Sequence, residues 1–478
     1  MRGVRCRYSR NSTYRIQCSE RGIPVQEQRK ENKMGVMPIP RLLMTMSLPI
    51  MASMLIQALY NVVDSIFVIR VSEDALTAVS LAFPVQAMMI AISVGTAVGV
   101  NAILSRRLGE KNFEDANLTA TNGVFLMVLS AAAFALFGVF GVRPFFAAFV
   151  EEGSVMRMGM EYTSIVSIFS FGVFISVVGE RLVQATGNSI YSMISQMAGA
   201  LTNIILDPIL IFGLLGFPRM EVAGAAIATV VGQFVSMFVI VWFNLKKNPE
   251  VDLSFKGFRP NGRIIVEIYR IGLPSIFMQA IGSVMTFGMN KILILFSQTA
   301  VSVFGIYFKL QSFIFMPIFG LNSGMIPIIG YNFGARHRRR ITHTIQLGSL
   351  YALAIMAAGT LIFHLCPGWI LGVLFDASDH MLEIGVPALR IISIHFLPAA
   401  ISIVLSAAFQ ALGKGTYSLI MSACRQLLVL LPSAYLLGRF FSLNALWLSF
   451  PIAELVSLAI AVVLFRGVYR KEIKPLGD

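Results

Sequence analysis

Two stretches of this sequence, FPVQAMMIAISVGTAVGVNAILSRRLG at 83–109 and FKLQSFIFMPIFGLNSGMIPIIGYNFG at 308–334, share the residues that shape a helix. The shared positions lie 225 residues apart: Phe83 and Phe308, Gln86 and Gln311, Gly95 and Gly320, Gly99 and Gly324, Ile103 and Ile328, Gly109 and Gly334. Upstream, Leu48-Pro49 returns at the same offset as Leu273-Pro274. Because Gly and Pro set helix kinks and close helix contacts, the repeat concerns backbone shape as well as hydrophobicity.

The composition places the chain in a membrane. Of 478 residues, 56% are hydrophobic and 13% charged, and the mean hydropathy is +0.76. Each span needs about 20 mostly apolar residues. The runs lack the alternation of a membrane barrel, so we predict an all-α membrane protein. Its twelve predicted spans are 42–69, 76–104, 118–141, 161–185, 189–215, 220–245, 264–296, 301–331, 343–366, 384–412, 415–438 and 443–466.

The repeat divides these spans into two six-helix lobes. Six is even, so both copies enter the membrane from the same side, and the predicted pseudo-twofold lies along the membrane normal. Paired lobes that can rock about a central site are typical of transporters. The predicted domains are a basic, disordered N-terminal tail (1–36), an N-lobe (37–245), a cytoplasmic linker (246–263), a C-lobe (264–466) and a cytoplasmic tail (467–478).

The charge distribution predicts the orientation. Lys and Arg concentrate in the loops after even-numbered spans and in the C-terminal tail, so both termini are predicted to be cytoplasmic. The net charge of +14 follows from this asymmetry and from the basic N-terminal stretch. A basic rim facing anionic membrane lipid explains it better than nucleic-acid binding.

Acidic residues inside spans are costly, which makes each a functional candidate. Asp64 lies in the first span, and Gln57, Asn61 and Asp64 share one helix face at spacings of four and three. The pattern favours a carboxylate that binds H⁺ or Na⁺ in an internal cavity. The alternative is an Asp at the lipid–water interface, because Arg70 follows six residues later.

The fifth span carries the second candidate. Asp207 lies one turn after Asn203, and Pro208 interrupts the hydrogen-bond ladder, which can free a carbonyl for a cation. An Asp-Pro pair can also be a simple kink. At the 225-residue offset Asp64 becomes Met289, so the coupling chemistry is predicted in the first half.

Other charged residues are weaker candidates. Glu454 in the last span is either a second functional carboxylate or a partner for Arg425. Structural roles are expected for Lys291 and Lys309, a local charge pair facing the cytoplasm for Glu180 and Arg181, and satisfied or interfacial positions for His364 and His395. With 25 Met and 37 Phe, the chain can also line an adaptable pocket for organic cations.

Several classes lack support in the sequence. It contains no Walker-type loop for ATP, no His/Cys metal-ligand cluster and no nucleophile elbow, so we predict neither an enzyme nor a bound cofactor. A membrane-embedded enzyme or receptor would also have no need of the duplication.

The chain resembles a known family over about 37–466. QALYNVVDSIFV (57–68), LGEKNFEDA (108–116), QATGN (184–188), Asn203 with Asp207-Pro208, and GLNSGMIPIIGYNFGA (320–335) are similar to multidrug and toxic compound extrusion transporters, most of all the bacterial MepA-like branch. The resemblance implies a V-shaped cavity between the lobes. It also implies a coupling site of Asp64, Asn203 and Asp207, with Thr229 as a loosely matching hydroxyl. Relatives with an acid in the seventh span differ, since this chain has Met289, Asn290 and Lys291 there.

The sequence therefore predicts a secondary active exporter of organic cations by antiport with H⁺ or Na⁺. Gln57, Asn61, Gln311 and Glu454 are the candidate residues of the substrate cavity. We expect a multi-pass monomer in the bacterial cytoplasmic (inner) membrane. The alternative function is a lipid-linked oligosaccharide flippase of the same superfold, for which Lys291, Lys309 and Arg425 would bind pyrophosphate.

Overall fold

The computed structural model describes residues 31–69 and 71–477, without the side chains of 60–66 and 68–69. Within these ranges it contains helices and no strand, which confirms the all-α prediction. The helices are α1 (Lys33–Val36), α2 (Ile39–Ile69), α3 (Glu73–Gly109), α4 (Phe113–Phe140), α5 (Val142–Ala147), α6 (Ser154–Ile168), α7 (Phe171–Ala185), α8 (Ser189–Phe212), α9 (Glu221–Lys247), α10 (Gly262–Leu293), α11 (Gln298–Gly334), α12 (Arg338–Leu365), α13 (Pro367–Trp369), α14 (Asp379–Ser393), α15 (Phe396–Ala411), α16 (Gly415–Ala423), α17 (Leu431–Phe440), α18 (Leu443–Trp447) and α19 (Ser449–Val468). Three π-helical segments join or extend them at Ile370–Leu374, Cys424–Leu430 and Tyr469–Ile473.

The internal repeat extends to the ends of the helices. Adding 225 to the bounds of α3, α4 and α6 gives those of α11, α12 and α14. The N-terminal caps repeat as well, since the Ser72 and Ser297 hydroxyls accept from the Ala75 and Ala300 amides, both at 3.0 Å. A side-chain oxygen at this position satisfies an amide that the first turn leaves without a partner. The two copies therefore begin their second spans with the same local chemistry.

The helix lengths fit a multi-pass membrane protein. Among the described residues, ten helices are long and apolar enough to cross a membrane. Two bent pairs, α6 with α7 (44°) and α14 with α15 (46°), bring the number of spans to the predicted twelve. The spans predicted at 161–185 and 384–412 are therefore not single straight helices. In the second pair, Pro398 lies in the first turn of α15 and cannot donate to the turn before it.

The repeated glycines hold the two halves together. Helices α2 and α3 of the first half pack against α10 and α11 of the second. A Cβ on Gly320 would lie 2.6 Å from the Met51 Cα, and one on Gly99 would collide with the Ile268 carbonyl oxygen. Only a residue without a side chain permits this approach. The glycines that revealed the repeat are thus the contact surface between its copies.

The loops after even-numbered spans lie at the end of the bundle where the halves meet. Beside the loop after the second span, a Cβ on Gly109 would collide with the Tyr331 carbonyl oxygen of the other half. In the second half, Lys414 Nζ pairs with Glu472 Oε1 at 2.7 Å. The short helix α1 also lies here and joins both halves. Asn32 Nδ2 donates to the Thr186 carbonyl at 3.1 Å. We call this the closed end.

A second set of bonds fixes α1 to the C-terminal half. Arg340 Nη2 donates to the Met34 and Met37 carbonyls, both at 2.8 Å. Asn332 Nδ2 donates to the Met34 carbonyl at 3.0 Å, and the Met34 side chain is fully buried. The predicted tail of 1–36 thus has an ordered portion in Lys33–Val36, while residues 1–30 lie outside the described part of the chain. Between the halves, residues 248–261 connect α9 to α10.

Candidate cation site and substrate cavity

The structure brings together three of the four residues predicted for cation coupling. Asn203 and Asp207 lie one turn apart on α8, both buried, and Thr229 faces them from α9. In the amide orientation that satisfies both ends of Asn203, Nδ2 donates to Asp207 Oδ2 at 3.2 Å. Its Oδ1 then accepts from the Thr229 amide at 3.1 Å. The Thr229 hydroxyl oxygen lies 3.4 Å from the Asn203 side-chain amide, so the residue that matched the family only loosely in sequence is close in space.

Small residues allow this cluster to form. A Cβ on Gly232 of α9 would lie 2.7 Å from the Gly199 carbonyl oxygen and 3.2 Å from the Asn203 Cβ. The two glycines therefore bring α8 and α9 into backbone contact one turn from Asn203. Pro208 lies inside α8, and the helix continues through it to Phe212. Because Pro208 has no N–H, the Ile204 carbonyl lacks its usual helical donor and can serve as an oxygen ligand.

The first-span residues are placed by their backbone. Asn61 and Asp64 lie in α2, and their side chains are outside the described residues. One turn after Asp64, the Phe67 ring contacts the Phe212 ring of α8, with a centroid distance of 6.2 Å. The stretch of α2 that contains Asp64 therefore runs beside the stretch of α8 that contains Asp207. The participation of Asp64 and Asn61 remains a prediction.

A cavity of about 1040 Å³ lies between the halves, beyond the glycine contacts. It is lined by three of the predicted substrate residues, Gln57, Gln311 and Glu454. Phe83 and Phe308, which correspond in the repeat, also line it. Amides, hydroxyls and aromatic rings make up much of the remaining wall. Such a surface suits a ligand with both polar and flat apolar parts.

Glu454 has the alternative partner considered from the sequence. Its Oε2 lies 3.1 Å from Arg425 Nη1, and Glu454 is only 2% exposed. The other carboxylate oxygen, Oε1, and the nearby Tyr307 hydroxyl are buried without a hydrogen-bond partner among the described residues. His395 is buried beside them, with Nδ1 2.6 Å from the Ile392 carbonyl oxygen. The C-terminal half thus contributes a buried polar group to the cavity wall.

The remaining charged candidates lie elsewhere. Lys291 and Lys309 are exposed and do not line the cavity, and Lys291 Nζ lies over the Phe287 ring at 5.7 Å. Arg425 and Arg181, which do line it, each lie near a carboxylate. Among the described residues no lysine lines the cavity and both arginines lie near an acid, so this part of the wall is not the cationic surface that a pyrophosphate group requires.

One expectation from the sequence was wrong. Glu180 and Arg181 do not form a surface pair, since they are 7% and 8% exposed inside the helix bundle. Gln196 Nε2 donates to Glu180 Oε2 at 2.6 Å. Both residues lie within five residues of the end of α7, which suggested exposure, but α8 and α9 cover that end. Their long polar side chains gave no signal that could separate a buried pair from a surface pair.

Comparison with known proteins agrees with this architecture. The sequence model of the MatE family matches residues 49–209 and 274–436, which is more than half of the chain. The chain belongs to the MatE family. The two matched stretches of this MatE protein begin at Pro49 and Pro274, the first pair of the internal repeat. The resemblance described from the sequence motifs is thereby confirmed.

Individual relatives cover nearly the whole MatE chain. It is 27% identical over 424 residues to the "Multidrug export protein MepA" of Staphylococcus haemolyticus, covering 88% of this chain and 92% of that protein. A solved structure described as "MATE in complex with MaL6" is 25% identical, with a TM-score of 0.86, and the match covers 92% and 99% of the two chains. Another, described as an outward-facing MATE family transporter, is 24% identical, with a TM-score of 0.88 and coverage of 94% and 100%. The fold of this chain is that of these transporters.

Proposed function

We propose that this MatE protein exports organic cations of diverse structure by antiport with H⁺ or Na⁺. The observation that carries the proposal is the buried cluster of Asp207, Asn203 and Thr229, set apart from a large polar and aromatic cavity. A site for a small cation and a site for a larger ligand are the two elements that exchange needs. The name of the similar MepA protein, a multidrug exporter, supports the choice of substrate class.

The cluster can bind either coupling ion. A buried carboxylate is costly as an anion, so it gains from a proton or from a metal cation. Asp207 can bind a proton with one oxygen. For Na⁺, the oxygens of Asp207, Asn203 and Thr229 lie in one cluster, and we propose that the Ile204 carbonyl and Asp64 complete the site.

The transport cycle follows from the closed end. The basic loops lie there, so we assign that end to the cytoplasm and the cavity to the outside-accessible state. Both termini are then cytoplasmic, and the protein resides in the cytoplasmic membrane of a bacterium. Binding of H⁺ or Na⁺ from outside favours release of the substrate, and loss of the ion inside restores the state that binds it. The exchange requires each ligand to bind the two states with different affinity.

The test is ethidium accumulation in everted membrane vesicles, driven in separate experiments by a pH gradient and by a Na⁺ gradient. We expect one gradient to drive uptake by the unmodified protein, and Asp64→Asn and Asp207→Asn to abolish it. The matched control is Asp252→Asn, an exposed carboxylate outside the helices, which should transport normally. A folded, inserted protein that moves no ethidium under either gradient would overturn the proposal.

A further inference from the structure

A second buried acid lies in the N-terminal half, apart from Asp207. Glu180 accepts from Gln196 of α8 at 2.6 Å, and its neighbour Arg181 donates through Nη1 to Gln184 Oε1 at 2.7 Å. Gln184 in turn donates to the Ser192 hydroxyl at 2.8 Å. Burial of two opposite charges costs several kcal/mol per ion before their attraction is counted. The cation-coupling site described above does not use this pair.

The acid is connected to Asp207 along one helix face. Gln196, Asn203 and Asp207 follow one another on α8 at spacings of seven and four, which places them on a single face. The eleven residues from Gln196 to Asp207 span about 16 Å along the helix axis. Glu180 contacts this face of α8 at Gln196, so it lies nearer the closed end than Asp207 does. We call the polar contact region between this face of α8 and helices α7 and α9 the seam.

Polar atoms without partners mark this seam. Gln196 Oε1, Gln233 Oε1 and Arg181 Nε are buried and have no hydrogen-bond partner among the described residues. Gln233 lies on α9 one turn after Thr229, and its Cβ is 3.1 Å from the position of a Cβ on Gly172 of α7. Buried polar atoms normally bond to protein or to ordered water. The unpartnered atoms therefore mark positions beside Glu180 where ordered water can complete the hydrogen bonding.

Arg181 links the acid to the substrate cavity. It lines that cavity, and its charge interacts with the Glu180 carboxylate. Helix α7 packs against α3, α4, α8, α9 and α11. Among the described residues, Arg181 is the charged group that acts on Glu180, and the group that reaches it from α8 is the neutral amide of Gln196. The charge of the cavity wall at this point therefore depends on one carboxylate.

We propose that Glu180 is a proton-binding residue that makes proton and organic-cation binding mutually exclusive through Arg181. With Glu180 ionised, the pair is neutral and an organic cation can occupy the cavity. When the Glu180 carboxylate takes up a proton and becomes a neutral carboxylic acid, the positive charge of Arg181 is no longer balanced and repels the cation. Na⁺ suits this position less well, because it would lie beside a guanidinium and needs several more oxygen ligands.

The inference rests on the proposed export of organic cations, but it can be refuted by results that leave that proposal intact. Ethidium binding to the purified protein would be measured between pH 5.5 and pH 8.5 for the unmodified protein, Glu180→Gln and the double variant Glu180→Gln/Arg181→Gln. Glu161→Gln on α6, an exposed acid, is the matched control. Glu180→Gln fixes the neutral form of the acid, so we expect about tenfold weaker binding at pH 8.5 and a reduced dependence on pH.

The double variant separates charge from damage to the fold. Neutral amides then replace both buried charges, and removing two opposite buried charges together costs far less than removing one of them. It should restore ethidium affinity to within about threefold of the unmodified protein while remaining less sensitive to pH. Unchanged affinity and pH profile in Glu180→Gln, or a double variant that binds as weakly as the single one, would overturn the inference. Failure of the unmodified protein to bind or transport ethidium would instead overturn the proposed function.

Discussion

Arg107 Nη2 lies 2.9 Å from Glu267 Oε2, and this ion pair joins the first half of the molecule to the second. Arg107 is the last basic residue of α3, and Glu267 lies in the second turn of α10. Arg107 also bonds to Glu110 through Nη1 at 2.9 Å, and Arg263 lies 3.4 Å from Glu267. The two halves are thus connected by a small charge network at the closed end.

Breaking this pair should open the closed end. Removal of a partly buried ion pair costs about 1 kcal/mol, which shifts a two-state equilibrium about fivefold. For Glu267→Gln we expect a larger fraction of open molecules in distance measurements between spin labels at Lys111 of the first half and Lys474 of the second, both exposed. Arg107→Gln should open the closed end to at least the same extent, because it breaks the same ion pair and also the one to Glu110.

The control for that experiment is an ion pair that lies entirely within the first half of the molecule. Arg143 and Glu152 lie 3.9 Å apart and are 76% and 87% exposed, so Glu152→Gln should leave the distances unchanged. Equal distance distributions in the unmodified protein and in Glu267→Gln would show that the pair does not hold the closed end.

Arg340 should be needed to hold α1 in place. It donates to the Met34 and Met37 carbonyls and, through Nε, to Asn332 Oδ1 at 2.9 Å. Loss of hydrogen bonds from a charged donor costs about 2 kcal/mol. We expect Arg340→Ala to accelerate hydrogen exchange at residues 33–37 by about tenfold or more, with Lys256→Ala as the exposed control. Unchanged exchange would mean that α1 is fixed by other contacts.

Gly99→Ala should prevent the halves from closing tightly. The added Cβ would collide with the Ile268 carbonyl oxygen, and a backbone atom cannot move aside as a flexible side chain can. The expected result is a lower melting temperature and slower ethidium transport. Gly305→Ala in α11 is the matched control, because its Cβ would meet no atom within 4 Å. Equal melting temperatures for the two variants would contradict the account of the contact.

Removing one member of the Arg425–Glu454 pair should destabilise the protein more than removing both. Glu454→Gln leaves the Arg425 charge without its partner, and we expect a loss of about 2 kcal/mol in stability. Arg425→Met together with Glu454→Gln should lose less than Glu454→Gln alone, since no unbalanced charge remains. Thermal unfolding of the purified proteins measures both. A double variant less stable than the single one would show that the pair contributes net stability.

The sequence predicted much of the fold because the repeat constrains it. Glycines such as Gly95, Gly99, Gly320 and Gly324 could be recognised as contact points before their partners were known. The bends within the fourth and tenth spans could not, because Phe169 and Ile394 at the breaks are ordinary apolar residues and the first pair has no proline near its break. The exact offset of 225 between the two bends shows that they belong to the repeat.

Site residues could be predicted from the sequence in the middle of a span, where charged residues are rare, but not near helix ends, where they are common. Asp207 and Asn203 stood out because acids and amides are costly inside a span. Glu180 was missed because a Glu-Arg dipeptide near a helix end is usually solvated, and its burial depends on α8 and α9 covering it. Whether Glu454 pairs with Arg425 depended on the relative rotation of α19 and the π-helical segment Cys424–Leu430, which no sequence pattern sets.

The most direct test of the central claim is exchange by the purified protein in liposomes. An ethidium gradient alone would be imposed, and the movement of H⁺ and of Na⁺ would be followed with a pH-sensitive dye and with a sodium tracer. Because coupling is reciprocal, ethidium leaving down its gradient should drive one of these ions uphill in the opposite direction, and Asp207→Asn should abolish that ion movement. Ethidium movement with neither ion moving against it would contradict the account.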